Sequence, residues 1–203
     1  MTGANPSACS GFDAHVLACT LALTAVEGGG DGRALLQGLG LDRAELLALV
    51  GATFPHAAEL FARTLPLDVQ LDLQADELCL RELLTRGATE RSPLQLALAF
   101  IIARRCQRPN HLWQDLGLRN RRELSWLMER HFQPLAQRNT RDMKWKKYLY
   151  RVICRDEGFA LCTAPSCSEC SDFEHCFGGE DGESLLARAR RDAELGVASG
   201  AAE

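Results

Sequence analysis

The helical spacing of apolar residues is the feature that most constrains the fold of this chain. Apolar residues recur three and four positions apart along most of its length, and no short stretch alternates like a strand between hairpin turns. The spacing predicts helices over residues 41–50, 56–63 and 76–86, with Asp42 as an N-cap and Gly87 at a C′ position. The pattern therefore predicts an all-α fold, a multi-helix bundle.

Three later helices complete this prediction. Ser92 and Pro93 fit the N-cap and first position of a helix that is apolar nearly all round until Arg104, as expected of a buried central helix. The next helix should end or kink at Pro134, and its apolar stripe consists of Leu124, Leu127, Met128 and Phe132. The last is closed by Gly158, and its two-turn stripe consists of Tyr148, Leu149, Val152 and Ile153.

Charge divides the chain into three blocks. Residues 1–103 hold 6 Lys/Arg and 12 Asp/Glu, residues 104–155 hold 14 and 4, and residues 156–203 hold 3 and 11. The basic block predicts a surface for an anion or an acidic partner. A solvated face that packs against the acidic blocks of the same molecule explains the pattern equally well.

Four segments follow from charge and composition. We expect a helical scaffold lobe (1–103), a basic helical segment (104–157), a four-cysteine cluster loop (158–179) and an acidic, partly disordered tail (180–203). Within the first segment, the glycine-rich residues 28–32 predict a flexible joint.

The cellular compartment decides how the nine cysteines should be interpreted. No run of about 18 uncharged apolar residues exists, so no membrane-spanning segment is predicted. No basic region precedes the apolar stretch 16–26, which argues against a secretory signal. We therefore expect a cytoplasmic protein whose thiols stay reduced. An odd number of unevenly spaced cysteines in that compartment favours metal binding over disulfides.

Four of the cysteines lie within fifteen residues, at Cys162, Cys167, Cys170 and Cys176, with the spacing C-x4-C-x2-C-x5-C. Pro165 prevents a regular helix here, and the small neighbouring residues let the backbone curl so that the sulfurs converge. Thiolates are soft ligands that favour zinc, Cu(I) or iron–sulfur assemblies. Because zinc sites usually use two well-separated cysteine pairs, the single C-x2-C favours an iron–sulfur cluster, with zinc and redox thiols as alternatives.

The remaining candidate ligands are weaker. Cys154 precedes Cys162 by eight residues and could approach the cluster as a spare ligand, but packing is the simpler interpretation. His175 could bind a metal, although a solvent-facing loop histidine is the simpler interpretation. Three further cysteines lie in apolar helical stretches and are predicted to be small core residues: Cys19, Cys79 and Cys106.

With these motifs together, the chain resembles the NifQ family of nitrogen-fixation proteins. The resemblance rests on the C-x4-C-x2-C-x5-C loop and covers residues 119–178 well. Its other motifs are Arg122-Glu123-Leu124-Ser125, Asn139, Met143-Lys144-Trp145-Lys146-Lys147, Tyr150-Arg151 and Cys176-Phe177-Gly178.

The resemblance implies a function that spacing alone does not. Proteins of this family supply molybdenum for the iron–molybdenum cofactor of nitrogenase. The resemblance implies that the four loop cysteines hold an iron–sulfur cluster of the 4Fe–4S or Mo–3Fe–4S type, which takes up molybdenum. The implied partners are the NifEN scaffold, acting with the nitrogenase iron protein, and molybdate as the metal source. Three lysines before the loop, expected to project into solvent, could attract this dianion: Lys144, Lys146 and Lys147.

Two other classes of protein stay open at this stage. Some helical DNA-repair glycosylases carry a C-x6-C-x2-C-x5-C loop, but here the first spacer is four residues, and no Leu-Pro-Gly-Val-Gly type turn is present. The three tryptophans are spaced for helix packing rather than base stacking, so no nucleic-acid partner is expected: Trp113, Trp126 and Trp145. The second alternative is a zinc-stabilised interaction module. No nucleophile or proton-transfer pair is evident, so we expect a carrier or donor of a metal cluster rather than a turnover enzyme.

Overall fold

The computed structural model describes residues 11–156 of the chain, and all regular structure in these residues is helical. The all-α prediction is therefore confirmed for this part. Its α-helices are α1 (Gly11–Glu27), α2 (Gly32–Leu39), α3 (Arg43–Thr53), α4 (Ala58–Thr64), α5 (Ala75–Gly87), α6 (Pro93–Cys106), α7 (Leu112–Asp115), α8 (Arg121–His131), α9 (Gln133–Arg138) and α10 (Trp145–Asp156). A 3₁₀ turn, Pro55–Ala57, joins α3 to α4. The predicted cluster loop and tail lie outside the described residues.

Side-chain caps define where two of the predicted helices begin. Asp42 accepts a hydrogen bond from the Glu45 backbone N–H at 2.8 Å, and Glu45 accepts one from the Asp42 N–H at 2.8 Å. This reciprocal capping box satisfies two N–H groups that the first turn of α3 leaves without helical partners. Ser92 accepts from the Gln95 N–H at 3.3 Å, and Pro93 occupies the first turn of α6. Both predicted N-caps are confirmed.

Helix α6 lies at the centre of the described bundle, as predicted. It packs against α2, α3, α5 and α7. Its middle turns are buried nearly all round, through Leu98, Ala99, Ile101, Ile102 and Ala103. The same hydrophobic core takes in side chains from α1 through α10, so burial of apolar surface holds these helices together.

The glycine-rich segment 28–32 differs from the prediction. The backbone N–H groups of Gly28 and Gly30 donate to carbonyl groups in the last turn of α1, at 3.0 and 2.9 Å. Gly29 and Gly30 adopt φ angles of +61° and +79°, a region that costs other residues energy. The Asp31 side chain then caps α2. The expectation of a flexible joint is wrong, because these residues form a hydrogen-bonded turn between two packed helices.

Two other local predictions have different outcomes. Helix α8 ends at His131 and α9 starts at Gln133 with Pro134 in its first turn, so the predicted break is confirmed. Gly87 is instead the last residue of α5, not a C′ residue beyond it. A Cβ atom at Gly87 would lie 2.6 Å from Cδ1 of Leu135, so this glycine permits close packing of α5 on α9.

The tryptophans do not all pack inside the bundle. Trp113 and Trp145 are buried, but Trp126 is 46% exposed on α8. Its ring meets Phe12 edge to face at 6.2 Å between centroids, and the Arg122 guanidinium lies 5.0 Å from its centroid. Trp126 therefore packs on α1 at the surface of the bundle and not in its core. None of the helices within residues 11–156 has the length and apolar character needed to cross a membrane.

Candidate metal centre and its helical support

The predicted metal centre follows directly on α10. Its four thiols, Cys162, Cys167, Cys170 and Cys176, lie outside the described residues, as does His175. Cys154 belongs to the last turn of α10, and its role as an auxiliary ligand stays a prediction. The four-cysteine ligand set also stays a prediction. The structure does describe the helix that leads into it.

Helix α10 is fixed to the bundle by an apolar stripe. Tyr148, Leu149, Val152 and Ile153 are all buried, which confirms the stripe predicted from their spacing. Trp145 adds to it, because its ring packs edge to face on Tyr148 with 5.8 Å between centroids. A helix anchored over two turns gives the segment that follows a fixed starting point.

The connection from α9 into α10 is held by polar contacts. The Asn139 side-chain oxygen accepts from the Met143 N–H at 2.9 Å, and its amide donates to the Met143 carbonyl at 3.0 Å. Arg121 of α8 forms an ion pair of 2.8 Å with Asp142. The start of α10 is thereby tied to α8 as well as to the core.

A buried network of charges ties α1, α6, α7 and α10 together. The Arg105 guanidinium is buried and donates to both carboxylate oxygens of Glu27, at 2.7 and 2.9 Å, and to the Asp115 carbonyl at 2.5 Å. Arg108 lies 3.1 Å from the same Glu27 carboxylate. The hydrogen bond from Arg105 is the main cause that lowers the pKa of Glu27, so this carboxylate stays ionised. The Asp115 carboxylate is itself buried and receives Lys146.

This network corrects the prediction for Lys146. Its ammonium group lies 2.5 Å from Oδ2 of Asp115 and 2.5 Å from the Arg108 carbonyl oxygen. The expectation that Lys146 projects into solvent is therefore wrong. A buried carboxylate needs a compensating charge, and this lysine supplies it across a separation of 31 residues.

Lys144 and Lys147 have different surroundings. Lys147 is exposed and Lys144 is half-buried. Lys144 lies immediately before α10, and its carbonyl oxygen accepts from the Tyr148 N–H at 2.9 Å. The ion pairs found within residues 11–156 involve neither lysine. Both charges are thus available to an anion or an acidic surface beside the start of α10.

Three cysteines in the helical body are separate from the predicted centre. Cys106 is buried in the core, and burial raises the pKa of its thiol to about 12, so it stays protonated at neutral pH. Burial also raises the pKa of the half-buried Cys19. Cys19 and Cys79 pack against the core, which confirms the packing prediction for all three. No cluster of three or more metal-binding side chains is found among residues 11–156.

The sequence did not predict a groove in the helical bundle. It has a volume of about 770 Å3 and lies between α3 and α6, with residues of α1 and α8 at its edge. The available signal was the run of small residues on an exposed face of α3, Ala48 and Ala52. Two exposed alanines do not by themselves predict a groove, because the sequence does not show which helix lies beside α3.

Comparison with known proteins decides the family. A family model described as NifQ matches residues 16–178, which include all four loop cysteines. The chain belongs to the NifQ family. NifQ membership implies a role in nitrogen fixation. The described helices α2 to α10 all fall within the matched range.

Curated relatives agree with this assignment. The chain is 40% identical to a NifQ homolog of Sinorhizobium fredii, over 85% of this chain and 75% of the relative. It is 36% identical to NifQ of Azotobacter vinelandii, over 70% and 78% of the two chains. It is 41% identical to NifQ of Rhodobacter capsulatus, over 64% and 75%. No solved structure matches the chain.

Proposed function

We propose that this protein takes up molybdenum on an iron–sulfur cluster and donates it for assembly of the iron–molybdenum cofactor of nitrogenase. The observation that carries this proposal is the NifQ match through residue 178, because it includes the whole C-x4-C-x2-C-x5-C loop. We expect the NifEN scaffold, acting with the nitrogenase iron protein, to receive the metal. Molybdate is the expected source.

The donor set suits an iron–sulfur cluster. The four thiols Cys162, Cys167, Cys170 and Cys176 are soft ligands, and they share one short loop rather than two separated pairs. Such a cluster would supply sulfides to which molybdenum can bind. Three carboxylates in the loop would add negative charge beside it, which favours a low reduction potential: Glu169, Asp172 and Glu174.

The described residues support this role by position. The charge network and the apolar stripe hold α10 against the bundle, so the cysteine loop starts from a fixed helix. Lys144 and Lys147 lie at the start of that helix and can attract a dianion. We propose a carrier and donor of metal rather than an enzyme that turns over a substrate.

Anaerobic purification followed by elemental analysis and metal transfer tests this proposal. We expect iron with sulfide in the isolated protein, molybdenum after incubation with molybdate, and transfer of that molybdenum to the NifEN scaffold with the iron protein. Zinc without iron would instead identify a structural module, and iron that never takes up molybdenum would contradict the donor role.

Replacing Lys144 and Lys147 by neutral residues tests whether their positive charge speeds the uptake of molybdate. In a Lys144→Gln/Lys147→Gln variant, we expect molybdate loading at low salt to slow by about threefold, because two charges that attract the dianion are lost. Loading by the wild type should fall as salt rises toward about 0.15 M, and the variant should respond less. The measurement is the initial rate of molybdenum uptake at several salt concentrations.

Lys146→Gln provides the matched control for this prediction. Because Lys146 is bound to Asp115, its loss should lower the free energy of unfolding and leave the salt dependence of loading unchanged. Equal salt responses in the wild type and the double variant would show that Lys144 and Lys147 are only a solvated face.

A further inference from the structure

The groove between α3 and α6 has the shape of a binding site for a helix. One face of α3 forms one wall, through Glu45, Ala48, Leu49, Ala52 and Thr53. The first two turns of α6 form the other wall together with the floor. Residues spaced three and four apart share one side of a helix, so the α3 wall is a continuous strip. Ala48 and Ala52 are exposed, and no helix within residues 11–156 covers them.

The floor of this groove is apolar and its free charge is negative. Leu94, Leu96 and Phe100 of α6 contribute apolar surface. Glu45 lines the α3 wall and Glu90 lies just before α6, and neither takes part in an ion pair within residues 11–156. Glu45 also caps α3, because its side chain accepts a hydrogen bond from the Asp42 N–H.

The other charges along the groove balance one another. Asp13 is buried and lies 2.8 Å from Nε2 of His131 and 3.1 Å from Nε of Arg130. Arg130 is therefore compensated by Asp13 and does not offset the charges of Glu45 and Glu90. An occupant of this groove should present an apolar face flanked by positive charges.

One segment of this chain has that composition. All three Lys/Arg residues of the block 156–203 lie within residues 188–191, and two adjacent leucines precede them. In a helical conformation, Leu185, Leu186 and Ala189 would share one face. Arg188 and Arg190 would then flank that face on its two sides, while Arg191 would lie opposite it.

We propose that residues 184–191 bind as an amphipathic helix in the groove between α3 and α6. Leu185, Leu186 and Ala189 face the apolar floor, and Arg188 and Arg190 meet the carboxylates of Glu45 and Glu90. The 27 residues between the end of α10 and residue 184 can extend to about 90 Å, which is ample for a bundle of this size. Tethering also gives this segment a millimolar effective concentration at the groove.

This inference is independent of the metal function. Residues 184–191 lie beyond the NifQ match, which ends at residue 178. The proposal therefore assigns a contact to a segment outside the matched family region. It also predicts that the cysteine loop is connected to the helical body on both sides, by α10 before it and by the bound segment after it.

Photo-cross-linking in the full chain tests the contact. The photoreactive residue p-benzoylphenylalanine replaces Ala52, which is exposed in the groove, or Gly51, which is exposed on another side of α3. A Cβ atom at Gly51 would meet no atom within 4 Å, so a side chain can start there without a clash. We expect an intramolecular cross-link from position 52 to the peptide that contains residues 184–191, and none from position 51.

Substitutions in the segment separate a specific contact from chance proximity. Arg188→Gln/Arg190→Gln should reduce the yield of that cross-link about tenfold, and Glu45→Gln/Glu90→Gln should have a similar effect. Gln at position 45 can still complete the capping box, so α3 should stay intact. Arg191→Gln is the matched control and should leave the yield unchanged. Cross-links from position 52 only to residues 1–10, to a second copy of the chain, or to nothing would overturn the proposal.

Discussion

Replacement of Cys167 or Cys170 by Ala is expected to remove the iron from the anaerobically purified protein. Both cysteines belong to the single C-x2-C of the loop, and a four-thiolate cluster loses a ligand in either variant. The broad visible absorption near about 400 nm, which comes from thiolate–iron charge transfer, should disappear with the iron. Iron and acid-labile sulfide per chain, measured beside the spectrum, give the result directly.

Cys79→Ala is the control for these variants. Cys79 packs against the core of the helical body, so its loss should cost about 1–3 kcal/mol of stability and leave the iron content unchanged. The far-ultraviolet helical signal of Cys170→Ala should match the wild type, because residues 11–156 have a hydrophobic core of their own. A full complement of iron in Cys170→Ala would exclude the proposed ligand set, and global unfolding would indicate a structural metal site instead.

The helices that could be predicted from the sequence are those whose signals are local. Asp42 with Glu45, and Ser92 with Pro93, specify helix starts through atoms three residues apart or fewer. Pro134 ends a helix because it lacks an N–H group and its ring clashes with the preceding turn. Such signals need no knowledge of the tertiary structure. The starts of α3 and α6 and the break between α8 and α9 could therefore be predicted from the sequence.

Other features depend on partners distant in the chain. Lys146 appeared equivalent to its neighbours in sequence, and its pairing with Asp115 follows only from the way α7 packs beside α10. Gly87 was expected to lie just beyond a helix end. A glycine is needed there because a Cβ atom would come too close to the side chain of Leu135. The groove required knowledge that α3 and α6 leave a gap between them. Tertiary packing decides each of these, and one sequence carries no direct signal of it.

For the proposed metal centre, the candidate residues are evident from the sequence alone. Its four cysteines stand out in the sequence because their spacing is local and unusual, and the NifQ match includes them. The helical body that supports them shows little in its sequence that would suggest a function. In this chain, the residues proposed for chemistry have the clearer signal in the sequence, and the long-range contacts of the helices before them have the weaker one.

Arg105→Met is expected to cause the largest loss of stability in the helical body, about 3 kcal/mol in the free energy of unfolding. Methionine keeps most of the volume of arginine, so the loss should come from polar groups and not from a cavity. Without the guanidinium, both oxygens of Glu27 and the carbonyl of Asp115 lose a charged donor. Glu27 belongs to α1 and Asp115 to α7, so Arg105 connects these two helices to α6. Urea unfolding followed by circular dichroism measures the change.

Arg108→Met makes the comparison decisive, because Arg108 contacts the same Glu27 carboxylate from a side chain that is 48% exposed. An exposed pair contributes little, so this variant should lose less than about 1 kcal/mol. The double variant Glu27→Gln/Arg105→Met should lose less than the sum of its single variants, since neither partner is then left charged and unpaired. A loss below about 1 kcal/mol for Arg105→Met, or strict additivity in the double variant, would show that the network contributes little. The attachment of α10 would then depend on its apolar stripe alone.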